Sequence, residues 1–133
     1  MRYMLDTNIC IYAIKNKPEQ VLRRLKTHSP SEICISSVTY AELMHGVEKS
    51  KAVARNRVAL ALFLANIEIL DFDAAAAEEY GRIRAALERQ ETPIGPLDMM
   101  IAGHARSLSC VVVTNNVREF ERVEALPLEN WAE

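Results

Sequence analysis

The chain has 133 residues, of which 50% are hydrophobic and 26% charged, with a formal net charge of -2. That is one soluble domain of ordinary size, able to bury a core without disulfides, and its composition excludes a disordered chain or a generally basic nucleic-acid coat. Its longest wholly apolar run, Val58 to Ala65, is well short of the roughly 20 residues that span a bilayer, and the start of the chain enters a strand pattern with no leader, so a cytoplasmic protein is expected.

Strand and helix signals alternate along the chain. Arg2–Leu5 reads as a short strand and Thr7–Lys15 as a helix, followed by a second helix with Pro18 in its first turn, reaching Lys26. Ser29, Pro30 and Ser31 form a turn. Ile33–Ile35 is the next strand, and Ser36 or Ser37 caps a helix through Lys49. A helix from Ala52 to Asn66 carries Val58, Leu62 and Ala65 at helical spacing. Ile67–Leu70 is a strand, and Asp73 caps a long helix through Gln90 whose Gly81 is weak for a helix interior. After a Thr92–Gly95 turn come a helix from Pro96 to Ser107, a buried strand Val111–Val113 and a helical turn Val117–Phe120. The region of Leu126–Leu128 offers an edge strand. This order predicts an α/β fold in three layers: a central parallel sheet of four or five strands with helices on both faces.

Three acidic residues stand where apolar runs give way to helices. Asp6 follows Tyr3-Met4-Leu5, Glu42 lies beyond the second strand, and Asp98 follows Pro96 among Leu97, Met99, Met100 and Ile101. A parallel sheet collects strand ends along one edge, where such folds place their sites. Carboxylates gathered there repel unless they share a cation. The pattern points to Mg²⁺, or Mn²⁺ in its place, and to phosphodiester hydrolysis.

Each residue also has an ordinary explanation. Asp6 suits an N-cap. Glu42 matches a capping box with Thr39, although Ser36 or Ser37 is the better cap and leaves Glu42 past the first turn. Asp98 is favoured near a helix start by the macrodipole, but its apolar flanks make a lone carboxylate costly there. Thr7 and Asn8 are placed to bind the second oxygen of Asp6 or an ordered water. Asn116 and Glu119, after the last core strand, join the same edge as a ligand, an outer support or a holder of the attacking water, with Thr114 beside them. His28, His45 and His104 read as structural or exposed, and Cys10, Cys34 and Cys110 as buried reduced thiols.

Met4-Leu-Asp6-Thr-Asn8, Ser36-Ser-Val-Thr-Tyr-Ala-Glu42-Leu, Ile94-Gly-Pro-Leu-Asp98-Met-Met-Ile-Ala102 and Val113-Thr-Asn-Asn116-Val-Arg-Glu119-Phe together resemble the PIN-domain family, and within it the VapC toxins of bacterial type II toxin–antitoxin systems. The likeness runs from the first strand to Trp131. It implies a Mg²⁺- or Mn²⁺-dependent endoribonuclease with Asp6, Glu42 and Asp98 as its acids. The family's fourth position, often Asp, is Asn116 here, which puts a second metal in question. The resemblance further implies a homodimer, inhibited by a VapB antitoxin whose tail crosses the active site and whose N-terminal half binds operator DNA. Enteric-type members cut initiator tRNA in the anticodon loop; others cut different tRNAs or ribosomal RNA.

Two other readings compete. A haloacid-dehalogenase-type phosphatase also opens with a strand and an Asp, but needs an acid two positions later, where Asn8 stands. A degenerate PIN module would bind RNA or protein without catalysis, with Asn116 as its support. Lys15, Lys17, Arg23, Arg24 and Lys26, and then Lys49, Lys51, Arg55 and Arg57, form two basic stretches expected to flank the cleft and grip RNA.

Overall fold

The structure is a computed structural model covering residues 1–133. Five parallel strands are β1 (Tyr3–Leu5), β2 (Ile33–Ser36), β3 (Glu68–Leu70), β4 (Val111–Val113) and β5 (Leu128–Glu129), in the order β3-β2-β1-β4-β5. The register sets Tyr3 between Ile33 and Val111, Cys34 beside Glu68, and Val112 beside Leu128. The helices are α1 (Thr7–Lys15), α2 (Glu19–Leu25), α3 (Ser37–Glu48), α4 (Val53–Leu64), α5 (Ala74–Arg89), α6 (Pro96–Ser107) and α7 (Val117–Phe120).

Successive strand residues point to opposite faces, and both faces are covered, which is why the central strands are apolar throughout. Met4, Cys34 and Val112 pack on one side against Ile83 and Leu87 of α5, Met99, Ile101 and Ala105 of α6, and Phe120 of α7. Leu5, Ile33, Ile35 and Val113 pack on the other against Ile9 and Ala13 of α1, Val21 of α2, Leu43 and Val47 of α3, Leu60 of α4, and Trp131. The three layers and parallel sheet are those expected, with five strands rather than four. Cys10, Cys34 and Cys110 are free and buried. No helix is long and apolar enough to cross a membrane.

Local departures have local causes. Pro18 is the extended N-cap of α2 and not part of its first turn. The Ser29–Ser31 turn becomes a 3₁₀ turn over Pro30–Glu32, closed by a capping box between Ser29 and Glu32. β3 starts one residue later than expected, at Glu68. The last strand is Leu128–Glu129, because Leu126 leaves the sheet edge to be buried in the core. On α4 the stripe of Val58, Leu62 and Ala65 faces solvent, Val58 at 60% and Leu62 at 73% exposure, while Leu60 carries the buried side. That helix has two apolar stripes, and spacing alone does not choose between them.

Candidate active site

Asp6 ends β1 and caps α1, its backbone extended at φ -80 and ψ 173 and its Oδ1 accepting from the Ile9 amide at 2.9 Å. The carboxyl is 3% exposed. Its cap role and its place at the sheet edge are therefore one arrangement. The Thr114 hydroxyl also donates to it, and burial, the larger effect, pushes its pKa up to about 6, with the charges of Asp98 and Glu42 adding to the rise.

Ser36, ending β2, is the cap of α3: its Oγ accepts from the Val38 amide at 3.0 Å. This leaves Glu42 free of any capping box, half-buried on the second turn, where it accepts from the Thr7 hydroxyl at 2.5 Å. Asp98 lies in the first turn of α6, after Pro96. Burial raises its pKa, helped by Glu119 and Glu42, while a hydrogen bond from Asn116 opposes the rise. The Asn116 Nδ2 also donates to Glu119 Oε2 at 3.0 Å, and its backbone amide donates to Thr114 Oγ1 at 2.8 Å.

Asp6, Glu42, Asp98, Asn116 and Glu119 are thus brought to one edge of the sheet, tied by Thr7, Thr114 and Asn116. Thr7 and Asn8 are not where the sequence reading put them. Thr7 holds Glu42 instead of the second oxygen of Asp6, because Thr114 already occupies that oxygen. Asn8 is exposed on α1 and makes no hydrogen bond within the chain, and no acid follows Asp6 at the position a phosphatase would need.

None of the four carboxylates has an ion-pair partner; every Lys, Arg or His ion pair of the chain lies elsewhere. As the side chains stand, no three His, Cys, Asp or Glu groups are gathered closely enough to hold a metal ion. The donor set is nonetheless all oxygen and anionic, the chemistry of a hard cation, and its charge is unanswered by the protein. Closing round an ion asks only for side-chain movement.

The histidines are structural or exposed, as read. His104 is buried, with Nδ1 2.8 Å from Ser36 Oγ, and its ring meets Phe72 edge-on at 5.6 Å. Burial lowers its pKa and keeps it neutral, so it ties α6 to the cap of α3 without charge. His28 stacks on Trp131 at 5.0 Å, and His45 is exposed. Of the basic stretches, Arg23 and Arg57 are paired with Glu19 and Glu48 and Arg24 with Glu129; Lys15, Lys17, Lys26, Lys49, Lys51 and Arg55 are exposed and unpaired. Lys15 rims a groove of about 360 Å³ between α1, α3 and α4, lined by Ile11, Leu43, Val47 and Leu60 and reaching Glu42.

Residues 3–126 match the model of the PIN domain. The chain is 53% identical over 132 residues to the tRNA(fMet)-specific endonuclease VapC of Shigella flexneri, covering 99% of each, and 47% identical over 131 residues to the ribonuclease VapC2 of Haemophilus influenzae, covering 98% of each. Among solved structures it superposes on the DNA-bound VapBC of Salmonella typhimurium with a TM-score of 0.93 at 51% identity, covering 98% of each chain. VapBC-1 of nontypeable Haemophilus influenzae matches over 100% of both chains, with a TM-score of 0.89 at 36% identity.

Proposed function

Because this chain belongs to the PIN domain family and, within it, to the VapC ribonucleases, we propose that it is the toxin of a type II toxin–antitoxin module: a Mg²⁺-dependent endoribonuclease, with Mn²⁺ able to substitute, that inhibits translation by cutting a tRNA. Initiator tRNA, cut in its anticodon loop, is the substrate that the relatives' names favour. The observation that carries the reading is the group of four carboxylates at one sheet edge with no cation of the protein beside them. A binding-only module would rest on Asn116, but Glu119 restores a carboxylate to the same cluster.

Asp6 and Asp98 would hold the cation, with Glu42 reaching it directly or through water. A divalent ion there supplies an acidified water and neutralises charge growing on the phosphate and leaving oxygen. Thr114 and the Ile9 amide fix Asp6, and Thr7 fixes the rotamer of Glu42. Asn116 spans Asp98 and Glu119, leaving Glu119 to orient the attacking water. Attack by water rather than by a ribose hydroxyl leaves a 5′-phosphate and a 3′-hydroxyl. The exposed, unpaired lysines would meet the RNA backbone.

The partner is a VapB-type antitoxin, whose binding in the groove beside α1, α3 and α4 would bring a basic side chain to Glu42 and its neighbours, competing with the cation. The toxin acts as a homodimer, within a larger assembly that binds operator DNA through the antitoxin. The test is cleavage of purified tRNA in Mg²⁺, Mn²⁺ and EDTA, with end-group analysis and a repeat in the presence of antitoxin. Metal-dependent cuts leaving 5′-phosphates, suppressed by the antitoxin, are expected. Undiminished cleavage in EDTA would count against the site as read.

A further inference from the structure

Beside the carboxylates lies a polar feature that hydrolysis does not use. Asn115 sits in the chain between Thr114, which bonds Asp6, and Asn116, which bonds Asp98, and its own side chain is exposed. Its Nδ2 faces the Tyr12 hydroxyl at 3.4 Å, and its Oδ1 accepts from the Asn130 Nδ2 at 3.2 Å. Tyr12 belongs to α1, the helix that Asp6 caps, and Asn130 to the tail after β5. Three separate parts of the chain thus bring one phenol and two amides together. Consecutive Cα atoms are about 3.8 Å apart, so this shelf is within a nucleotide's reach of the carboxylates.

The shelf is held in place before any ligand arrives. Asn130 Oδ1 accepts from the Ala132 amide at 2.9 Å, and Gln20 Nε2 donates to the Ala132 carbonyl at 2.7 Å. Between them Trp131 is buried, stacked on His28, with the Arg24 guanidinium 5.5 Å from its ring centre. Yet the polar groups are not used up. The Tyr12 hydroxyl hydrogen has no acceptor in the chain, and Asn115 and Asn130 each keep one amide hydrogen free.

Such groups are uncharged, whereas a phosphate is met elsewhere on this surface by lysines. Amide donors and acceptors match the edges of nucleobases, and a tyrosine ring offers a stacking face. We propose that Tyr12, Asn115 and Asn130 form a base-reading shelf that selects the nucleotide flanking the bond to be cut. This rests on the endoribonuclease reading and adds its specificity determinant.

The test uses RNA hairpins that differ only in the base flanking the cleaved bond. Single-turnover cleavage is compared for the unaltered protein, Tyr12→Phe, Asn115→Ala and Asn130→Ala, with Mn²⁺-induced thermal stabilisation as a check on the carboxylates. Asn115→Ala should lower kcat/KM on the preferred hairpin about 10- to 100-fold and leave the poorest nearly untouched, so that discrimination collapses. Tyr12→Phe should do so more weakly. An equal loss on every hairpin, or unchanged discrimination, would overturn the shelf. If the unaltered protein cleaves none of them with either metal, the nuclease reading falls instead, and the ratio of hairpin affinities in EDTA still decides whether these residues read a base.

Discussion

Acidic residues in two regions of this molecule stand in opposite surroundings. On α5, Glu79 lies 3.2 Å from Arg106 and 3.1 Å from Arg82, and Glu88 lies 3.3 Å from Arg84. Hydrogen bonds from Arg106 and then Arg82 hold the Glu79 carboxyl below its ordinary pKa. At the sheet edge, Asp6, Glu42, Asp98 and Glu119 face one another with no cation, and burial drives Asp6 and Asp98 the other way. The α5 charges are answered within the fold and serve its surface. Those at the edge are left for something that comes from outside, and that difference identifies the site better than acidity does.

The largest effect should come from removing charge at the edge. Asp98→Asn keeps the shape of the side chain but weakens the hold on a shared cation, which is worth several kcal/mol of transition-state stabilisation, so cleavage should fall by about 10³-fold or more. Circular dichroism should show the fold intact. Metal-induced stabilisation that survives this change unaltered would separate Asp98 from the shared site.

The pH dependence of stability should differ next. The folded pKa of Asp6, about 6, lies above its ordinary 3.8, so the folded state holds that proton more tightly than the unfolded state does. In metal-free protein, stability from this group is then lost as pH rises from about 4 to about 6, by about 3 kcal/mol, and is flat above. Denaturant titrations across that window should show the fall, and Asp6→Asn should remove most of it. A slope of the opposite sign would mean that Asp6 is answered by a cation after all.

Packing on the paired side gives smaller changes. Gly103 of α6 meets α5 so closely that a Cβ would lie 2.7 Å from the Tyr80 nitrogen and 3.2 Å from the Ala76 oxygen. Gly103→Ala should destabilise by about 1–3 kcal/mol and, by shifting the helix that carries Asp98, slow cleavage as well. Gly81 of α5 has nothing within 4 Å of its would-be Cβ, so Gly81→Ala should stabilise by about 0.5–1 kcal/mol. Thermal melts distinguish the two. Smallest of all, Glu79→Gln should leave cleavage unchanged; a loss of activity there would erase the contrast between the regions.

Much of this was legible because strand ends and caps are local signals. Asp6, Glu42 and Asp98 each follow a strand or turn, and parallel topology alone brings such positions together. What was not legible depends on which neighbour reaches first. Thr7 pairs with Glu42 because Thr114, at the far end of the chain, already holds Asp6. The exposed stripe on α4 was hidden because Val58 and Leu62 repeat as regularly as the buried side does. Asn115 read as a turn residue, since nothing nearby in sequence indicates that Tyr12 and Asn130 meet it.

The strand order has a kinetic consequence. β1 is first in the chain and central in the sheet, and its Tyr3 pairs with Val111. Closing that pairing joins residues separated by most of the chain, an entropic cost incurred before the contacts repay it, so folding is expected to be slow for a domain of this size. Asp6 receives Thr114 and comes beside Asp98 only when that last long loop closes. Any fragment or intermediate lacking β4 carries Asp6 and Glu42 without their counterparts, so destructive activity should appear only in the finished fold.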